Sequence, residues 1–294
     1  MKILVTGAGG FLGQRLVPLL TEQHTVHAVY HNTPSFPVPP GYSLADIRDR
    51  SALARIFENF SPEMVLHLAG ITAVSHALAL TEQDVHDINV TASGILAKLS
   101  NAQGAKIIYT STDLVFDGSI GGNLKEDSPT RPLSLYASTK LAGEKAVTEN
   151  TDNYLILRVA LMYGFSKGKL KAFFQEAYNK VKSGHEVVLF HDQYRSSLLV
   201  NDGARMLVEL VSKEHDHKMI NFGAAERTSR ANLFQRFARK AGLDESLLVF
   251  KSFRDTPHLP QVEDVSLDVG RLMSVGITPK SVDESVEDIV NEIN

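Results

Sequence analysis

The chain has 294 residues, 43% of them apolar and 22% charged, with a net charge of −4 and no cysteine. That length suits one large domain or two lobes sharing an interface. There is no basic footprint for nucleic acid, no disulfide or thiolate metal site, and no run of about 18 apolar residues that would cross a membrane as a helix. The apolar stretch after Lys2 is interrupted by glycines and then by Gln14 and Arg15, which reads as strand and turn rather than as a secretory signal. With no cysteine in the chain, a reducing, cytoplasmic location is the expectation.

In chain order, short β-rich runs alternate with longer helical patterns, the arrangement of parallel βαβ units. Strands are predicted over 2–6, 26–30, 64–67, 106–110 and 154–159. Most are continuous apolar runs, as expected of strands covered on both faces. Helices are predicted between them over 11–20, 50–57, 82–99 and 135–147, and the proline-rich stretch 33–40 reads as a loop. Beyond about Gly164 helices dominate, over 169–182, 202–211, 229–240 and 282–293, with short β pieces at 187–190 and 219–222. The fold class is therefore α/β, a doubly wound parallel sheet over 1–163. A smaller, mostly helical lobe follows over 164–294, with some crossing back of the chain and a cleft shared between the two.

The segment Thr6-Gly7-Ala8-Gly9-Gly10-Phe11-Leu12-Gly13 follows the first strand and opens a helix. This is the setting of a Rossmann dinucleotide fingerprint, here in the frame G-x-x-G-x-x-G with Gly7, Gly10 and Gly13. Small residues let the backbone turn sharply toward a pyrophosphate. The helix start at Phe11 and Leu12 offers free N–H groups and a partial positive charge. An acidic residue at the end of the second strand would hold the ribose 2′-hydroxyl of NAD. The sequence there is Tyr30-His31-Asn32-Thr33, with no carboxylate and no arginine. His31 and Asn32 can donate to a 2′-phosphate, which favours NADP with NAD as the alternative. Asp46, with Ile47 beside it, is a candidate for the adenine amino group. Its other reading is a helix N-terminal carboxylate ahead of Arg48 and Arg50.

Tyr136 and Lys140 stand four residues apart in a predicted helix and so share a face. A free phenol has a pKa of about 10, and bringing it near 7 takes about 4 kcal/mol. A neighbouring ammonium and a cationic nicotinamide ring are suited to that. Such a phenol protonates a carbonyl oxygen as hydride arrives at carbon. The preceding strand ends in Ser111-Thr112-Asp113, where open α/β sheets place their ligands, so Thr112 or Ser111 can hold the carbonyl. Local backbone bonding is the bland reading of both hydroxyls.

Thr6–Gly13, His67-Leu68-Ala69-Gly70, Asn89 and the Tyr136/Lys140 pair together resemble the extended short-chain dehydrogenase/reductase family. Within it, Ala69-Gly70-Ile71-Thr72-Ala73-Val74 and Ser111-Thr112-Asp113-Leu114-Val115-Phe116-Asp117-Gly118 resemble the dTDP-4-dehydrorhamnose reductases. The resemblance implies that Thr112 acts with Tyr136 and Lys140. It also implies that Leu68, Ala69, Gly70, Thr72 and Asn89 line the cofactor, and that Asp113 and Leu114 face the substrate. Three departures bear on the sugar: Leu114 replaces a tyrosine, Arg195-Ser196-Ser197 stands where the family has G-R-P-T, and Leu259-Pro260 replaces Arg-Pro. A dehydratase would carry two acids after the threonine, and Leu114 removes the second.

The implied activity is NADP(H)-dependent reduction of a keto-sugar, nucleotide-linked, with Arg195 or the Lys167–Lys171 stretch as cation for its diphosphate. The rivals are a nucleotide-sugar epimerase with bound NAD and a cofactor-binding regulatory subunit like the β subunit of methionine adenosyltransferase. The expected partner is a small molecule, with a homodimer the prior assembly for such enzymes. His24, His27 and His31 lack metal-ligand spacing, so no metal is expected.

Overall fold

The computed structural model describes residues 1–71, 80–167, 172–256 and 262–293. In chain order the elements are β1 (Lys2–Thr6), α1 (Gly13–Thr21), β2 (Thr25–Tyr30), β3 (Tyr42–Leu44), α2 (Arg50–Phe60), β4 (Met64–His67), α3 (Glu82–His86), α4 (Ala92–Ala102), β5 (Lys106–Thr112), α5 (Leu135–Thr148), β6 (Tyr154–Val159) and β7 (Met162–Tyr163). They continue as α6 (Phe173–Lys182), β8 (Val187–Phe190), β9 (Tyr194–Arg195), β10 (Leu198–Leu199), α7 (Val200–Val211), β11 (Met219–Phe222), β12 (Thr228–Ser229), α8 (Arg230–Lys240), β13 (Leu248–Lys251), α9 (Gly270–Ser274) and α10 (Val282–Ile293). Among the described residues no helix is long and apolar enough to cross a membrane.

Seven strands form one sheet in the order β11-β6-β5-β4-β1-β2-β3, every neighbouring pair parallel. Alternate residues of each strand face opposite sides. Ile3, Val5, Leu66, Ile108, Leu155 and Leu157 enter one apolar core, and Leu4, Val65, Ile107, Tyr109 and Ile156 enter the other. Burial on both faces is why these strands read as continuous apolar runs. The strand order reverses between β1 and β4, and all the strands end on the same edge. The glycine turn, the 68–71 segment and Thr112 therefore gather at one crevice, where open α/β sheets place ligands.

Three local expectations change. The segment predicted as one helix over 82–99 is α3, then a π turn over Asp87–Thr91, then α4. The helix predicted from residue 11 begins at Gly13, leaving Phe11 and Leu12 in the turn. Strand β5 runs on through Ser111 and Thr112 because both pair with β6, opposite Arg158 and Val159.

The strand at 219–222, read in sequence with the C-terminal lobe, is the edge strand of the large sheet, in register with β6 (Met219 beside Ile156). Helix α7 also returns: Ala204, Leu207 and Leu210 share a core with Leu16, Val17 and Leu20 of α1. Val265, Leu267, Leu272 and Ile277 join that main core too, while α6, α8 and α10 build a second core that includes Tyr163, Phe174, Phe234, Phe237 and Ile289.

One buried ion pair ties β5, β6 and α5 together. Arg158 donates to both carboxylate oxygens of Glu144 at 3.1 and 2.9 Å and to the Glu126 carbonyl at 2.9 Å, with its guanidinium over the Phe116 ring. Ser111 donates to Glu144 at 2.5 Å. Both side chains of the pair are about 5% exposed. Glu144→Ala strands a buried guanidinium and is expected to cost about 3–5 kcal/mol in urea unfolding, whereas Glu144→Leu combined with Arg158→Met recovers most of the loss. Equal losses in the two proteins would show that the charges do not act as a pair.

Candidate active site

The glycine turn closes tightly. Gly7 has φ of +70°, and a Cβ there would lie 2.5 Å from the Ala69 nitrogen. A Cβ on Gly13 would lie 2.5 Å from the Gly7 carbonyl oxygen, so α1 packs directly on the turn. Leu12 gives α1 no side-chain cap, and its first turn holds no acid. That leaves an open helix start of the kind that receives a pyrophosphate. Gln14 braces the turn by donating to the Gly9 carbonyl at 2.9 Å and accepting from the Lys167 N–H at 2.8 Å.

Beneath this crevice lies a buried polar chain. His67, at the end of β4, meets Thr6 at 2.8 Å through Nδ1 and Ser93 at 3.0 Å through Nε2. Burial first, and then the Lys140 charge, push its pKa down to about 3, so it is neutral and serves as a cross-brace between β1, β4 and α4. Asn89, in the π turn, accepts from the Ile71 N–H at 2.9 Å and donates to Thr139 at 3.0 Å. It thereby pins the 69–71 segment against α5. π turns concentrate at such sites.

Helix α5 starts at an N-cap, Ser134, which accepts from the Ala137 N–H. Tyr136, Lys140 and Glu144 follow at four-residue intervals and face β5. Lys140 is buried, with Nζ 4.1 Å from the Tyr109 ring centroid. A Cβ on Gly70 would meet Asn89 Oδ1 tightly at 3.0 Å and that Nζ at an ordinary 3.6 Å. The Tyr136 phenol is hydrogen-bonded to Thr112. Thr112 in turn donates to Asp113 at 3.2 Å and accepts from the Leu114 N–H at 3.2 Å.

The electrostatics depart from the sequence expectation. The phenol is pushed up to about 12, first by burial; the Thr112 bond and Arg195 oppose this and Asp113 adds to it. Lys140 does not pull it toward neutrality, because burial lowers the ammonium itself to about 7, with Glu144 opposing. At neutral pH the site thus holds a protonated phenol and, one turn along α5, a lysine close to its midpoint.

Asp113 and Arg195, expected as separate substrate contacts, meet each other at 2.9 Å, both buried. Leu114 is half-buried and packs on the main core. His31 and Asn32 are exposed beyond β2, while Ile47 is buried. Asp46 is held by Arg48, whose backbone and guanidinium both donate to it. The cap of α2 is Asp49, not Asp46. Thr72, Ala73, Val74, Lys169, Lys171, Leu259 and Pro260 lie outside the described residues.

Sequence reasoning passed over the Glu144–Arg158–Ser111 network and Arg230. Spacing gave a signal only for Glu144, which stands four residues beyond Lys140.

In the unfolded chain Lys140 keeps its proton up to about pH 10.5, and in the folded chain only to about 7. Between those values the unfolded state binds more protons, so this group's contribution to stability rises with pH. In urea unfolding at about pH 7 and about pH 10, the wild-type protein should gain on Lys140→Met as pH rises. An unchanging gap would mean that the amine titrates alike in both states.

The model of the RmlD substrate binding domain matches residues 1–294. Methionine adenosyltransferase 2 subunit beta of Pongo abelii is 31% identical over 283 residues, covering 94% of this chain and 83% of that protein. The probable low-salt glycan biosynthesis reductase Agl14 of Haloferax volcanii is 32% identical over 215 residues, 72% of this chain and 71% of that one. The crystal structure of dTDP-4-dehydrorhamnose reductase from Bacillus anthracis in complex with NADP superposes with a TM-score of 0.86 at 23% identity, covering 99% of each chain.

Proposed function

The chain belongs to the RmlD substrate binding domain family, and from that premise we propose that it is an NADP(H)-dependent reductase of a nucleotide-linked keto-sugar. Residues 1–163 would hold the cofactor, and the chain beyond 164 would supply the substrate side. The observation that carries this reading is the Tyr136–Thr112 hydrogen bond with Lys140 one turn along α5, all on the crevice edge below the glycine turn.

The cradle fits a dinucleotide: Gly7, Gly10 and Gly13 with the Phe11 and Leu12 N–H groups for the pyrophosphate, and Leu68, Ala69, Gly70 and Asn89 on the nicotinamide side. His31 and Asn32, with no carboxylate beside them, suit a 2′-phosphate, and the Bacillus anthracis neighbour carries NADP. Asp46 and Ile47 lie on the adenine side. When bound, the reduced cofactor supplies hydride for the carbonyl carbon.

The protein's part is the proton. A phenol held near 12 is fully protonated at neutral pH, the state a donor to a carbonyl oxygen requires. Thr112 positions that oxygen by turning its hydroxyl from Asp113 to the substrate. Lys140 bonds the ribose, and its charge, once engaged there, favours the departing phenolate.

A specific observation favours a second reading. The relative from Pongo abelii, similar over almost the whole chain, is named as a subunit of a transferase, which supports a cofactor-binding component of another enzyme.

Titration with NADPH and NADH, followed by addition of dTDP-4-keto-6-deoxyglucose, separates the readings. The reductase consumes NADPH, whereas a binding subunit retains it unchanged. Tyr136→Phe should lower turnover by about 10²–10⁴-fold while leaving NADPH affinity intact. Full turnover in that variant would remove the phenol from the chemistry.

A further inference from the structure

Among the described residues, two guanidinium groups and one carboxylate lie within electrostatic reach of one another beside Thr112. Arg195, at the end of β9, is neutralised by Asp113 at 2.9 Å, with side chains 9% and 3% exposed. On the antiparallel neighbour β12, Thr228 lies opposite Arg195 and Ser229 opposite Tyr194. Arg230 is the next residue, the first of α8. Among the described residues Arg230 has no hydrogen bond and no ion pair, and its guanidinium rests over the Phe173 ring, 5.3 Å from the centroid.

Arg230 is half-buried and within electrostatic reach of both Arg195 and Asp113. Burial, and then Arg195, lower it to about 10, with Asp113 opposing, so it is still charged at neutral pH. A guanidinium carries five donors and is costly to withdraw from water without an anion. Among the described residues the acid that acts on it, Asp113, is already engaged by Arg195, and Asp113 directly follows Thr112, where the carbonyl would sit.

We propose that Arg230 is the receptor for an oxyanion of the substrate, the diphosphate of a nucleotide sugar, in place of Arg195. This rests on reading the cleft as the substrate site. A planar, forked donor pairs with two oxygens at once, which suits phosphate and carboxylate alike. A carboxylate on the sugar ring is thus the other source of the same chemistry.

The test is calorimetric titration of wild type, Arg230→Gln and Arg230→Lys with dTDP, UDP, UDP-glucose and UDP-glucuronate, each with and without NADPH. Thermal unfolding of the unliganded proteins runs in parallel. With the diphosphate as the anion, Arg230→Gln weakens every nucleotide that the wild type binds by about tenfold or more. Arg230→Lys falls between, since a point charge replaces the fork. NADPH affinity is unchanged, and the unliganded Arg230→Gln protein melts no lower than wild type, because an unpaired charge has been removed.

Weakening confined to UDP-glucuronate would overturn the diphosphate assignment in favour of a carboxylate. Unchanged affinities in Arg230→Gln, or a wild type that binds none of the four, would overturn the receptor role altogether, and a lower melting temperature with unchanged affinity would make Arg230 a structural residue. Failure of NADPH alone to bind would strike the cofactor reading, while the cofactor-free titrations still decide Arg230.

Discussion

The approach of α5 to β5 is the contact on which the site depends. A Cβ on Gly143 would lie 2.1 Å from the Tyr109 hydroxyl and 2.6 Å from the Asn89 carbonyl oxygen, so the helix settles this close only with no side chain at that position. From there, three residues on one helix face meet the strand in turn. Tyr136 reaches Thr112, Lys140 lies over Tyr109, and Glu144 accepts from Ser111. The Glu144–Arg158 pair then anchors the helix to β6. A buried pair of this kind adds little net stability but fixes geometry, since any other seating of α5 strands a charge.

The parts of the molecule legible in the sequence are those encoded locally. Strand β1, the glycine turn and the Tyr136–Lys140 spacing each lie within a few residues, and double-sided burial leaves a continuous apolar run. Features joining distant positions were not legible. Arg195 and Asp113 are separated by 82 residues, and each looked like a substrate contact until the fold brought them together. Residues 219–222 carry a strand pattern but nothing to say which sheet they join. Asn89, in the π turn, bonds through its side chain to Ile71 and Thr139, partners the local helical pattern does not contain.

The phenol shows the limit of motif chemistry most clearly. Tyrosine and lysine on one face suggest an ammonium that acidifies a phenol. In the folded chain the burial that brings them together also suppresses the ammonium, and the phenol rises instead of falling. Proximity fixes which groups interact, while desolvation decides the protonation state in which they do so. At His67 burial and the Lys140 charge act in the same direction, and both keep the ring a neutral brace.

The return of β11 to the sheet bears on how such a chain can diversify. A chain cut once near residue 163 would leave β6 as a bare, apolar edge and strip α7 from α1, exposing strand hydrogen-bonding groups that promote aggregation. The C-terminal part is therefore no detachable cassette. Exchanging it between relatives would take several matched junctions, so this part of the chain is open to change mainly by single substitutions within an uninterrupted scaffold.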